Sequence, residues 1–583
     1  MKTNRREILM FAGGSAVGVL FTPAPWRLIT DTALWSENWP GIPAPARGEI
    51  RARFTNCSLC TAGCAVRARC VGDQPVQLSG VAGHPLSHGA LCPFGIVGHH
   101  LPYMPARVKE GPVKEAAAAV ADGIAKCGPT EYVAMLDPRP ARTASWTYRR
   151  AMAALKNGRY VAPSSDTSIA VDLSKARTVL SFGVPVLDGW GTPGNVNVAR
   201  AGFRLIQVEP VESRTASMAD RWLRVRPGSE DALAQALAGQ ISHAAAADAA
   251  GLTVPEIAAL AQELEQNGPV LVLGSSRLAS TAGAVVARRE TPAPEEWKKA
   301  APAADLASLP DRSVRVLLID ESAPGGYLPW NAIEKKLVAD NPVVVVFACS
   351  REGYARHANY VLPVGVYPEV ADDIPPAIDS VVATFRIAAP LVSPPAGMVK
   401  PEAFVAAAAG LAIGDTLRER ADAIHKAGRG TLFTYADAKS QALKDVSADN
   451  FWKALNAGGC WIDEPDSKPS AARLTTVASE TRPAEESELP LAVVLTHELT
   501  PGSPLLSKVY RESNLRLAPG RVALNPSCGL DEDALAVFET LLGKCRVGVT
   551  LDAAIPPGVV QVSGSPALMD LCAAGARAKV VRV

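Results

Sequence analysis

A chain of 583 residues is several times the usual domain length, so about three or four structural units are expected and a buried core is not limiting. Its 48% hydrophobic and 20% charged residues argue against a disordered chain and against an integral membrane protein. A formal net charge of +1 gives no support for nucleic-acid binding, and partner recognition must be local.

The first segment is Asn4-Arg5-Arg6-Glu7-Ile8-Leu9-Met10 followed by an apolar stretch to Phe21, which reads as a twin-arginine export signal over 1–30. As a helix, about 14 apolar residues span only ~21 Å, less than a ~30 Å hydrocarbon core, so a stable membrane span is the weaker reading. Such export carries folded proteins, usually with a cofactor already inserted. Closely spaced Pro40, Pro43 and Pro45 beside Trp35 and Trp39 predict an extended arm over 31–46.

From about residue 115 the pattern alternates. Lys114–Lys126 and Ser145–Leu155 read as helices, whereas 132–136, 178–183, 204–208, 270–274, 314–320 and 343–348 are short β-branched runs. That rhythm predicts α/β units with buried parallel strands, in which ligands sit at the strands' carboxyl ends. Thr291–Pro302 and Glu464–Pro490 read as linkers. Beyond Pro490, runs at 491–496, 521–525, 534–540, 545–551 and 559–562 predict a small β-barrel-like domain.

Chemistry concentrates in the cysteines. Eleven are present, and Cys57, Cys60, Cys64 and Cys92 fall within 36 residues. Three thiols on one loop, with Gly63 giving the backbone freedom to curl, and a distant fourth to close the site are what a [4Fe-4S] cubane requires. Zinc more often uses two C-x2-C knuckles, and cysteines two or three residues apart make poor disulfide partners. His84, His88, His99 and His100 flank Cys92 but form no Cys-x-His pairing of the Rieske kind, and read as ordinary loop histidines.

These cysteines, with Cys92-Pro93-Phe94-Gly95 and Arg107-Val108-Lys109-Glu110-Gly111-Pro112, resemble the N-terminal domain of the molybdopterin oxidoreductase superfamily. In order along the chain, Leu180–Pro185, Leu205–Pro210 with Ser213 and Thr215, Ala219-Asp220 and Arg226–Asp231 look like that family's pterin-gripping segments. His357–Pro363 with Pro368-Glu369, and Leu524-Asn525-Pro526 through Val560, continue the likeness. The resemblance implies a multi-domain α/β fold: a [4Fe-4S] domain at 47–107, doubly wound α/β domains at 108–165 with 305–410 and at 166–304, a helical segment and linker at 411–485, and a β-barrel-like domain at 486–583.

Two departures bear on function. Enzymes of the family place a lysine two residues after the fourth cysteine, where this chain has Phe94. They also present a Cys, selenocysteine, Ser or Asp to the metal, and here no cysteine lies between Cys127 and Cys349, leaving Ser164, Ser165 or Asp166 as stand-ins. Together with the Trp/Pro arm and Ser503–Ser513, these features resemble the catalytically silent subunits of the bacterial quinone reductase complex and alternative complex III. That resemblance implies one [4Fe-4S] cluster, no molybdopterin and no catalytic residue. It also implies a place on the periplasmic face of the membrane, beside a multihaem cytochrome c, a ferredoxin-like iron–sulfur protein and an integral membrane quinone-binding subunit. An active molybdenum or tungsten enzyme, and a structural subunit without a working cluster, are the alternatives.

Overall fold

The computed structural model describes Met10 and residues 48–163, 168–466, 488–496, 517–572 and 576–583. Apart from Met10 the export segment, the arm, the stand-in residues Ser164–Asp166 and the stretch Ser503–Ser513 lie outside them. The chain divides into two compact units, Met1–Arg51 with Cys70–Gln74, and Ala52–Arg69 with Pro75–Val583. In the first, the Arg51 side chain donates to the Gly72 carbonyl at 3.1 Å and pairs with Asp73.

Among the described residues, the four largest sheets carry the second unit. The largest is a wholly parallel six-stranded sheet in the order 303–304, 158–161, 132–136, 314–321, 343–348, 360–363. Successive side chains of a strand point to opposite faces, so Leu317 and Ile319 enter one apolar cluster while Val316 and Leu318 enter the other. The second cluster is sealed by the helices Val113–Ala125, Thr143–Ala154 and Pro401–Ala408. Burial on both faces is why these strands read as unbroken apolar runs. A parallel four-stranded sheet, ordered 270–273, 178–182, 204–209, 221–224, repeats the scheme, with Leu180 and Ile206 on one side and Val179 and Leu205 on the other.

The third sheet departs from the sequence reading. Residues 411–485 were expected to be helical segment and linker, yet 431–434, 439–442 and 459–463 are strands. They join 372–373 and 383–388 in an antiparallel five-stranded sheet. Four- and five-residue strands set between the helices Thr416–Ala427 and Ala448–Asn456 carry too little periodicity to be seen.

The C-terminal barrel closes in the order 491–495, 559–562, 521–524, 543–551, 535–540, 577–582. Its last strand, Arg577–Arg582, went unread because charged residues interrupt it, but it pairs with both 535–540 and 491–495 and so removes the free edge. Among the described residues no single helix is long and apolar enough to cross a membrane. One bent pair, His243–Ala250 with Val254–Gln266, passes by length and composition and packs into the core of the four-stranded sheet.

Candidate functional site: a cysteine-lined cavity beside a strand-end cleft

The cysteine loop lies between the strands Ile50–Asn56 and Ala65–Val71. Its ends are tied by the Cys57 N–H donating to the Cys64 carbonyl at 2.9 Å, and the Gly63 N–H donates to the Cys60 carbonyl at 3.3 Å. Gly63 sits at φ +53°, and a Cβ there would stand 2.7 Å from Cζ of Arg386, so both the turn and its neighbour demand glycine. The loop is anchored from its base: Thr55 donates to the Ala389 carbonyl at 2.7 Å and Asn56 to the Ile387 carbonyl at 2.9 Å.

Cys92 immediately precedes the short helix Pro93–Val97, and its carbonyl accepts from the Ile96 N–H at 3.0 Å. Cys57, Cys60, Cys64 and Cys92 line one small cavity, together with Phe94 and the loop Gly189–Pro193. That loop follows the strand Thr178–Phe182 and is held by Asp379, whose carboxylate accepts from the Thr192 N–H at 2.9 Å and from Asn195 at 3.0 Å. Cys57, Cys60 and Cys64 form no disulfide. Among the described residues, no group of three or more His, Cys, Asp or Glu is arranged to hold a single metal ion.

Two arginines from distant elements clasp this loop. Arg386, fully buried in the strand Ala383–Ala388, donates from Nη1 to the Gly63 carbonyl at 2.7 Å. Arg139 donates to the Ser58 carbonyl, and to the Cys60 carbonyl at 3.4 Å. Nε and Nη2 of Arg386, Nε of Arg139 and the buried Tyr367 hydroxyl have no hydrogen-bond partner among the described residues. Burial pushes the Cys57 and Cys64 thiols up, and the neighbouring cysteines add to it. Burial also raises Cys60, against the pull of Arg139 and Arg386. Burial, then Cys57, Cys64 and Cys92, raises the Tyr367 phenol.

The histidines stay out of the cavity lining. Nδ1 of His84 accepts from the Ser87 N–H at 3.0 Å, and burial, then Arg386 and His88, lowers its pKa to about 3, so the ring is neutral. The segments that resemble a pterin grip hold one another. Glu209 accepts from Gln207 at 2.8 Å and from the Ser213 N–H at 2.8 Å, and Asp220 accepts from the Leu205 N–H at 2.7 Å.

A second, wider cavity opens at the carboxyl ends of the six-stranded sheet, where strand-end ligands were expected. Pro138, Glu321, Cys349, Tyr354 and Tyr367 line it, and Ser58 and Leu59 bring the cysteine loop to its wall. Glu321 accepts from the Tyr354 and Ala355 N–H groups at 3.1 and 3.3 Å, yet burial pushes its carboxyl up to about 8. A carboxyl raised in the fold stabilises it fully below the ordinary value of 4.5, and that contribution is lost as pH climbs through about 8. Glu321→Gln is therefore expected to flatten the fall in stability between pH 5 and pH 8 measured by denaturant titration; equal slopes in both proteins would contradict this.

Two resembling motifs meet in one ion pair. Arg107 holds Glu369 through two 2.6 Å bonds, both side chains almost wholly buried. Removing one partner of such a pair strands the other, so Glu369→Ala is expected to cost about 3–5 kcal/mol of stability and Glu369→Gln less, read from urea unfolding midpoints.

Sequence reasoning missed Arg386, Arg139, Tyr367 and Asp379. One signal was present: Arg386 interrupts Val382-Ala383-Thr384-Phe385 and Ile387-Ala388-Ala389, and an arginine inside a wholly buried strand needs a partner.

No family model matches the chain. It is 26% identical over 483 residues, 68% of this chain and 70% of the relative, to the menaquinone reductase, molybdopterin-binding-like subunit of Nitratidesulfovibrio vulgaris. It is 24% identical over 232 residues, 33% of this chain and 24% of the relative, to a sulfite dehydrogenase subunit of Allochromatium vinosum. Its fold matches that of acetylene hydratase from Pelobacter acetylenicus at TM-score 0.67 and 16% identity, covering 91% of this chain and 100% of that one. The sequence likeness is thus to a molybdopterin-binding-like subunit, and the likeness to the solved structure shows a shared fold.

Proposed function

We propose that this chain is the iron–sulfur electron-transfer and scaffold subunit of a membrane-associated quinone:cytochrome c oxidoreductase. On this reading it holds one [4Fe-4S] cluster through Cys57, Cys60, Cys64 and Cys92, and it carries no molybdenum cofactor. The observation that carries the reading is the convergence of those four cysteines on one cavity beside a buried guanidinium with unpartnered N–H groups.

The residues fit the group. Four thiolates around a metal cluster form a net anion, and an anion is what the unpartnered donors of Arg386 and Arg139 lack. When bound, the cluster would accept an electron from one partner and release it to another. The chain's own part is to exclude water, hold the four sulfurs and shape the local charge.

Phe94 occupies the position where family enzymes couple cluster to pterin through a lysine, and here it is buried against the cysteine cavity. Gln207, Glu209, Ser213 and Asp220 are engaged with their own fold, which supports reading those segments as fold-forming turns. Likeness to a menaquinone reductase component supports the quinone assignment. The remaining partners follow from the proposal: a multihaem cytochrome c, a ferredoxin-like iron–sulfur protein and an integral membrane quinone-binding subunit. The Arg5-Arg6 segment supports export by the twin-arginine route to the periplasmic face.

The wider cavity at the strand ends favours a second reading, an active molybdenum or tungsten enzyme. Metal analysis of the isolated complex separates the two. The proposal expects about four irons per chain without stoichiometric molybdenum or tungsten, and an EPR signal on dithionite reduction. Stoichiometric molybdenum with an extractable pterin would establish the second reading, and a chain without iron would leave only a structural role.

A further inference from the structure

We infer that Arg386, aided by the Tyr367 hydroxyl, raises the reduction potential of the group held by Cys57, Cys60, Cys64 and Cys92. The inference rests on the cluster reading above and adds to it which residues set the poise.

Of the other buried arginines, Arg139 and Arg288 donate to backbone carbonyls, and three pair with carboxylates. Arg107 pairs with Glu369, Arg142 with Asp320 and Arg420 with Asp373. Arg386 differs: its side chain is fully buried, it donates only to the Gly63 carbonyl, and Nε and Nη2 have no partner among the described residues. Its Cζ would lie 2.7 Å from a Cβ at Gly63, the residue just before Cys64, so the guanidinium rests against the cysteine turn itself. An unpaired cation in a dry interior costs several kcal/mol, and a sequence keeps one where an anion compensates it.

The Tyr367 ring lines the wider cavity, and its buried hydroxyl is likewise without a partner among the described residues. Two independent elements therefore bring unspent donors to the cysteine loop, Arg386 against Gly63 and Tyr367 in the cavity that Ser58 and Leu59 also line. One-electron reduction of a thiolate-bound cluster adds one negative charge and moves no atom, the electron coming from a partner redox protein or, in vitro, from dithionite. A fixed cation against the cysteine turn and an O–H donor near the same loop favour the more negative state, and low local dielectric strengthens the effect.

The test is an EPR-monitored redox titration of the intact complex carrying Arg386→Gln, Arg386→Lys or Tyr367→Phe, with iron measured on each sample. Arg386→Gln is expected to keep its iron and to titrate lower by a factor of about ten in the reduced-to-oxidised ratio, about 59 mV for one electron. Arg386→Lys should recover most of that shift, and Tyr367→Phe should move the same way by less. Wild-type midpoints in iron-replete Arg386→Gln and Tyr367→Phe would overturn the inference and leave Arg386 a staple for the Gly63 carbonyl. If Arg386→Gln sheds iron, Tyr367→Phe decides, a lower midpoint supporting and an unchanged one refuting. Absence of iron from the wild-type chain is a different result, because it removes the cluster reading itself.

Discussion

Cys64→Ser is expected to take the iron content from about four per chain to a small residue, with loss of visible absorbance, of the reduced EPR signal and of electron transfer through the complex. Cys64 closes the loop through its carbonyl bond to the Cys57 N–H and faces the cavity with the other three cysteines. Serine keeps the size but supplies a hydroxyl that ionises poorly in a buried setting and binds iron weakly. Loss of the bound anion also leaves Arg386 buried beside an empty space, so stability should fall by about 3–5 kcal/mol, the cost of stranding one member of a buried charge pair. Cys528→Ser is the control, because Cys528 is exposed and far along the chain on the barrel. A Cys64→Ser complex that retains its iron, its absorbance and its activity would refute the assignment.

Arg142→Met should destabilise the protein about as much without touching a cysteine. Arg142 is 3% exposed and bridges three carboxylates, Asp320 at 2.7 Å, Asp372 at 3.1 Å and Asp137 at 3.3 Å. Methionine matches much of the volume but leaves those carboxylates facing one another in a dry interior, so about 3–5 kcal/mol or more is expected at pH 7. Burial alone would raise the Asp320 carboxyl, but Arg142 and the hydrogen bonds from Ser322 and Tyr148 hold it below the ordinary value of 3.8. A depressed carboxyl stabilises the fold above its unfolded pKa and loses that contribution as pH falls through the folded one. The variant should therefore show its largest deficit near neutrality and a smaller one on acidification, when its unpaired carboxylates take up protons. Denaturation at pH 7 and pH 4.5 measures this, and a deficit that is small or independent of pH would contradict it. Arg139, three residues before Arg142 on the same turn, holds the Ser58 and Cys60 carbonyls, so the variant should also bind iron less firmly.

What the sequence determined alone was local. The spacing of Cys57, Cys60 and Cys64 around Gly63 is a short-range pattern, and it marked a loop whose sulfurs share one cavity with Cys92. Buried parallel strands such as Val314–Glu321 and Val343–Ala348 announced themselves because burial on both faces leaves few residue types that fit. Alternating runs after Pro490 marked the barrel in the same way. The order of strands, the five-stranded sheet and the closing strand Arg577–Arg582 were decided only by tertiary pairing, since short or charged strands carry no period of their own. Arg386 stands 323 residues from the Gly63 carbonyl it binds, and Arg107 is 262 residues from Glu369. Partners that far apart leave no mark on one another's neighbourhood in the sequence. Only the folded chain brings buried charge to the cysteines, because the free energy of a charge in a dry interior depends on what surrounds it in space.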